Sequence, residues 1–102
     1  MFSSETNVLY RGFHCKYEYI VKPHNGHLCG YVCLPLSHPW VDKDYSEIGS
    51  SVHGGVTFLE QEQDGDWWVG FDCMSLVVQQ CYVIEQCKTL CGEAAMEGLN
   101  VV

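Results

Sequence analysis

Two segments carry the side chains best suited to chemistry, His53-Gly54-Gly55-Val56-Thr57-Phe58 and Trp67-Trp68-Val69-Gly70-Phe71-Asp72-Cys73. Each has the β-branched and aromatic content of a strand. The polar stretch 59–66 between them holds Asp64-Gly65, a hairpin turn signal. Antiparallel strands set the start of one opposite the end of the other, so His53 is expected beside Asp72 and Cys73. An imidazole, a carboxylate and a thiol at one place are the residue types of a nucleophilic site, in which a base activates the thiol and a third group orients the base. No local signature of a cysteine protease surrounds Cys73. The competing reading is a buried thiol at a strand end, with Asp72 capping the next backbone amides.

Gly54-Gly55 allows an anion cradle built from backbone amides. There is no P-loop lysine and no Gly-x-Gly-x-x-Gly here, so a bulge or a close backbone approach is the stronger reading. Close approach still admits a ligand, with Phe58, Tyr45 and one of the two tryptophans as a stacking wall. Side chains alternate along a strand, so Trp67 and Trp68 face opposite ways. The candidate ligand-binding set is therefore His53, Gly54, Gly55, Trp68, Asp72 and Cys73. A phosphate ligand would need local positive charge, from Arg11 or Lys16.

Metal ligation is a weaker prospect. His24, His27, Cys29 and Cys33 are close in sequence, and Cys81, Cys87 and Cys91 follow later, but no Cys-x-x-Cys knuckle occurs. Cys29 and Cys33 on one strand would be about 13 Å apart. Cys87 and Cys91 share a helix face but fall in its apolar stripe. No metal and no cofactor is expected.

The elements that would position these residues follow from periodicity. Residues 11–21 alternate, with Phe13, Cys15, Tyr17, Tyr19 and Val21 on one face and His14, Lys16 and Glu18 on the other, which predicts one half-buried strand. Asn25-Gly26 predicts a tight turn into a second strand over 27–34. Pro35 and Pro39 exclude a central strand and make 35–51 an irregular, acidic connector. Val83, Ile84, Cys87, Leu90, Cys91, Ala94 and Ala95 recur at spacings of three and four, which predicts an amphipathic helix over about 79–96 with Gly98 as its stop. The expected fold class is α+β: an antiparallel sheet of about four strands, two hairpins, packed against one C-terminal helix, in a single domain over 1–102.

Composition bounds the rest. A hydrophobic fraction of 47%, with three Trp, six Tyr and four Phe, is ample for a core without disulfide staples. Seven cysteines is an odd count, and most occupy positions suited to small hydrophobes, so reduced and mostly buried thiols are expected. No secretion leader is visible, and no apolar run approaches the roughly 20 residues that span a bilayer. The expectation is an intracellular protein with no membrane partner. A net charge of −8, from 13 acidic and 5 basic residues, disfavours direct nucleic-acid binding. It favours a protein partner with a basic surface. Asp42, Asp44 and Glu47 in the connector, and Glu60, Glu62, Asp64 and Asp66 in the hairpin, are the candidate partner contacts.

The two hairpin segments, Gly30-Tyr31-Val32-Cys33 with His38-Pro39, and the closing stretch Tyr82-Val83-Ile84-Glu85-Gln86-Cys87-Lys88-Thr89-Leu90 together resemble a group of small, mostly uncharacterised proteins of tailed bacteriophages. Those proteins follow the Asp-Cys pair with a small residue, a histidine and an acid, where this chain has Met74-Ser75-Leu76. The resemblance implies a phage-borne product acting in the host cytoplasm. With the acidic charge and the weak catalytic set, it leads to the expectation of a small inhibitor that binds and antagonises a host defence or regulatory component. The alternatives are a protein that sequesters a small ligand or nucleotide signal, and, further off, a Cys/His hydrolase.

Overall fold

The computed structural model describes residues 7–24, 26–73 and 79–99. Within them five strands form one antiparallel sheet: β1 (Tyr10–His14), β2 (Tyr17–His24), β3 (His27–Leu34), β4 (Phe58–Gln61) and β5 (Trp67–Asp72), in the order β1-β2-β3-β5-β4. A single helix, α1 (Gln80–Leu99), packs across one face. The fold is the expected α+β arrangement of an antiparallel sheet and a C-terminal helix, with five strands where about four were expected.

The extra strand comes from residues 11–21, which are not one strand. Cys15 (φ 52°) and Lys16 (φ 71°) both adopt the left-handed conformation, and His14 pairs with Tyr17 across a two-residue turn. Paired left-handed residues match the twist of a hairpin. Non-glycine residues seldom adopt them, so Cys-Lys gives no turn signal. Reversal also changes the faces. Phe13 lies opposite Glu18 rather than in line with Tyr17 and Tyr19, and it is 71% exposed. The turn between β2 and β3 is as short as expected, with His24 paired to His27. Asn25 of that turn, and Met74-Ser75-Leu76, lie outside the described residues.

The central hairpin is also shifted. Residues 53–57 are not a strand, and pairing with β5 begins at Thr57, whose N–H donates to the Gly70 carbonyl at 2.9 Å. Gly54 (φ +71°) and Gly55 (φ +75°) instead make a turn, closed by the Gly55 N–H on the Val52 carbonyl at 2.8 Å. Extended backbone cannot form through consecutive left-handed residues. β4 then runs into what was expected to be loop, and the connection is tightened to a turn in which the Glu62 N–H donates to the Asp66 carbonyl at 2.8 Å.

Alternation gives the sheet two different sides. Tyr19, Val21, Val32, Leu34, Val69, Phe71 and Cys73 form the main core with Val83, Cys87, Leu90, Cys91 and Ala94 of α1. Ile20, Cys29, Tyr31 and Trp68 form a smaller cluster on the side without the helix. The connector has two short 3-10 turns, Pro39–Asp42 and Tyr45–Glu47, and it plugs one margin of the main core with Trp40, Ile48, Val52 and Val56. Two polar anchors fasten it to α1. His38, 3% exposed, accepts the Trp40 N–H on Nδ1 (3.1 Å), which leaves the proton on Nε2 to donate to the Ala94 carbonyl (2.8 Å). Glu93 accepts both the Ser50 and the Ser51 hydroxyls at 2.6 Å and the Ser51 N–H at 3.0 Å.

Candidate functional site

The glycine turn lies beside the end of β5, since a Cβ placed on Gly54 would stand 3.8 Å from the Asp72 carbonyl oxygen. The side chains around that meeting point diverge. His53 turns to α1: its N–H donates to Gln86 Oε1 at 2.8 Å, and its Nδ1 lies 3.2 Å from the Tyr82 hydroxyl. Cys73 also faces α1, fully buried in the main core. Asp72 and Trp68 fall on the other side of the sheet, because adjacent strand residues point to opposite faces. Trp68 is 1% exposed inside the smaller cluster and presents no stacking wall to solvent. Of the six candidate ligand residues, Gly54 and Asp72 meet through the backbone, whereas the side chains of His53 and Cys73 go to the α1 side and those of Trp68 and Asp72 to the other.

That division bears on nucleophilic chemistry. Burial pushes the Cys73 thiol above its ordinary pKa, and the neighbouring Asp72 carboxylate adds to the effect. Cys87 and Cys91 are likewise held protonated by burial, Cys91 at about 12. A thiol held protonated in the core is a poor nucleophile. Among the described residues no three His, Cys, Asp or Glu side chains come together as metal ligands.

The side without the helix has a recess instead. A cavity of about 410 Å³ opens there, lined by Lys22, His24, Cys29, Tyr31, Thr57, Phe58, Glu60, Gln61, Glu62, Phe71 and Asp72. It joins one candidate ligand residue, Asp72, to two candidate partner contacts, Glu60 and Glu62. Gly70 makes its floor possible. Tyr31 crosses β5 there, so close that a Cβ on Gly70 would lie 2.5 Å from Tyr31 Cδ1. The Tyr31 ring then meets Phe58 of β4 edge-on, with centroids 5.3 Å apart. Lys22, only 8% exposed, places Nζ 5.9 Å from the centre of the same ring. Cys29 beneath it is raised in pKa, first by burial; a Tyr31 hydrogen bond and Lys22 act in the opposite direction to Asp72 and Cys73.

The remaining acids form two groups. In the connector, Asp44 caps a 3-10 turn by accepting the Ser46 N–H and hydroxyl at 3.0 Å, and Glu47 accepts the Asp44 N–H at 3.0 Å. Those Ser46 bonds hold the Asp44 carboxyl below its ordinary value. Asp42 is exposed nearby. In the β4–β5 hairpin, Glu60, Asp64 and Asp66 are exposed and Glu62 is half-buried. Cys33 registers their convergence: burial first, then Asp66, Glu18, Asp64 and Glu62, push its thiol up to about 12.

Sequence reasoning named Phe58 as a stacking wall but missed Lys22 and Tyr31 as its neighbours in one recess. The signal for Lys22 was present in its two-residue step from Ile20, which puts both on one face. Tyr31 and Phe58 meet only because β5 lies between β3 and β4, an order that periodicity does not encode. Comparison with protein-family models, with curated proteins and with solved structures returned no match.

Proposed function

We propose that this chain is a binding protein that docks on the basic surface of a protein partner through the acidic β4–β5 hairpin, and that it acts by covering that surface. The observation that carries the reading is the gathering of Glu60, Glu62, Asp64 and Asp66 on one short hairpin, three of them exposed and Glu62 half-buried. The net charge of −8 adds a long-range pull toward positive partners. The resemblance of the central segments to phage proteins supplies the setting: the partner is a host defence or regulatory component, and the site of action is the host cytoplasm. The connector acids Asp42, Asp44 and Glu47 are secondary contacts, since Asp44 and Glu47 also hold their own turn.

The test is capture of host proteins on the full chain, followed by identification and reconstitution with the purified partner. Neutralising Glu60, Glu62, Asp64 and Asp66 to Gln or Asn should slow association several-fold and flatten its salt dependence, as rim charges act mainly on encounter. Recovery of the same partners at unchanged rates would remove the electrostatic reading. The second reading, sequestration of a nucleotide signal, has the cavity in its favour, but three carboxylates against one ammonium in the lining oppose a phosphate. Mass spectrometry of ligands released from protein exposed to infected-cell extract tests it.

A further inference from the structure

We infer that the cavity on the side of the sheet without the helix receives an organic cation, a guanidinium or primary ammonium group, between the Tyr31–Phe58 pair and the carboxylates of Glu60, Glu62 and Asp72. This deepens the docking reading and rests on it only for the source of the cation, a Lys or Arg side chain of the partner.

Three observations lead there. The recess, about 410 Å³, is within the range of small-ligand sites and far larger than an arginine head group needs. Its aromatic surface is fixed rather than adaptable: Tyr31 is pinned over Gly70 with no room for a Cβ beneath it, and Phe58 stands edge-on at 5.3 Å. That ring already has a cation over it, the Lys22 ammonium at 5.9 Å, so the surroundings tolerate positive charge in a largely buried place. The ionised lining otherwise runs to acid, three carboxylates against one lysine. An anion would meet three carboxylates at close range, whereas a cation meets the half-buried Phe58 ring and carboxylates that outnumber the one like charge, the Lys22 ammonium. Glu60 and Glu62 also belong to the acidic hairpin, so a side chain reaching the recess would come from a surface docked on that hairpin.

Chemical-shift titration of the isotope-labelled full chain tests this with three probes: agmatine, the capped tripeptide acetyl-Gly-Arg-Gly-amide, and glutarate as an anion of similar length. Agmatine and the peptide should move the amides of Tyr31, Thr57–Glu62 and Asp72 before any others, and glutarate should not. The Glu60→Gln/Glu62→Gln pair, one exposed and one half-buried, should weaken both cations at least fivefold while its amide spectrum keeps the dispersion of the folded chain. Phe58→Leu should weaken them by a smaller factor. Tighter binding of the peptide assigns the cation to a protein partner, and tighter binding of agmatine assigns it to free amines; either outcome supports the cation site. Shifts spread evenly over all exposed acids, including Asp42 to Glu47, or an unchanged affinity in the double variant, would overturn it. If a basic partner is still captured while neither cation enters the recess, the cavity inference fails and the docking reading stands. If both cations bind and no basic partner is captured, the reverse holds.

Discussion

Under α1, alternate residues of β2, β3 and β5 are packed to full burial against Val83, Cys87, Leu90, Cys91 and Ala94. On the opposite side, the intervening residues of the same strands close only a patch of four, Ile20, Cys29, Tyr31 and Trp68, and beyond it the surface opens into a charged recess. The strands are shared, so the difference is not one of strand propensity. It arises from what covers each face. A helix brings its own apolar stripe and demands a dry complement. A face with no such cover can hold Lys22, Glu60 and Asp72 beside aromatic rings. The contrast teaches that stability and recognition are assigned here by residue parity within each strand.

The sharpest way to break that division is Leu90→Ala. Leu90 is fully buried beneath α1, and its truncation should cost about 2–5 kcal/mol in denaturant unfolding while leaving cation titration of the folded protein unchanged. Next in size is Gly70→Val on the open side. The new side chain would collide with Tyr31 and with the Gly30 carbonyl, 2.9 Å from the first added carbon. A loss of about 1–3 kcal/mol is expected, together with loss of cation binding, because the ring must leave its place. Equal insensitivity of the recess to both changes would dissolve the comparison.

A chemical probe sharpens it. Cys15 and Cys81 are exposed, whereas Cys29, Cys73, Cys87 and Cys91 are buried. A disulfide reagent at neutral pH should modify Cys15 and Cys81 quickly and the four buried thiols only as the protein unfolds. Fast reaction of Cys73 in folded protein would restore it as a candidate nucleophile. The smallest effect concerns acid. Burial works against ionisation of Glu93, but the Ser50 and Ser51 hydroxyls and the Ser51 N–H outweigh it and hold the carboxyl below its ordinary value. A depressed folded pKa contributes stability that is complete above the unfolded value, about 4.3 for a glutamate, and that is lost as pH falls through the lower folded value. Urea midpoints measured from pH 6 down to pH 3 should fall, and Glu93→Gln should remove part of that slope. A slope unchanged in the variant would show that Glu93 is not a source of it.

Much of this was legible in residue order and much was not. The α1 stripe, β3 and β5 follow from clear three-to-four and two-residue periods. The errors fall where local backbone overrides pattern. Cys15 and Lys16 take left-handed conformations that neither residue type advertises, which turns one alternating segment into two strands. Gly54 and Gly55 do advertise such conformations, and reading them as strand interior misplaced β4 by several residues. The candidate site suffered for a different reason. Gly54 does reach the Asp72 backbone, but His53 stands in a turn rather than at a strand start, and Asp72 and Cys73, adjacent at a strand end, cannot present side chains to the same face. Phe58 was named as a stacking wall, but its partner Tyr31 was not, because the two meet across β5 and strand order is a long-range property.

The two anchors of the connector carry a kinetic consequence. His38 reaches Ala94, and Ser50 and Ser51 reach Glu93, so the polar anchors of a segment from the middle of the chain both fall on adjacent residues late in α1. Neither bond can form until that part of the helix has been synthesised and docked. Contacts of such long sequence separation slow folding, and they make the connector dependent on an element made after it. Until the helix docks, the apolar face of the sheet that it covers stays open, and that interval is when the chain is most exposed to aggregation and to proteases.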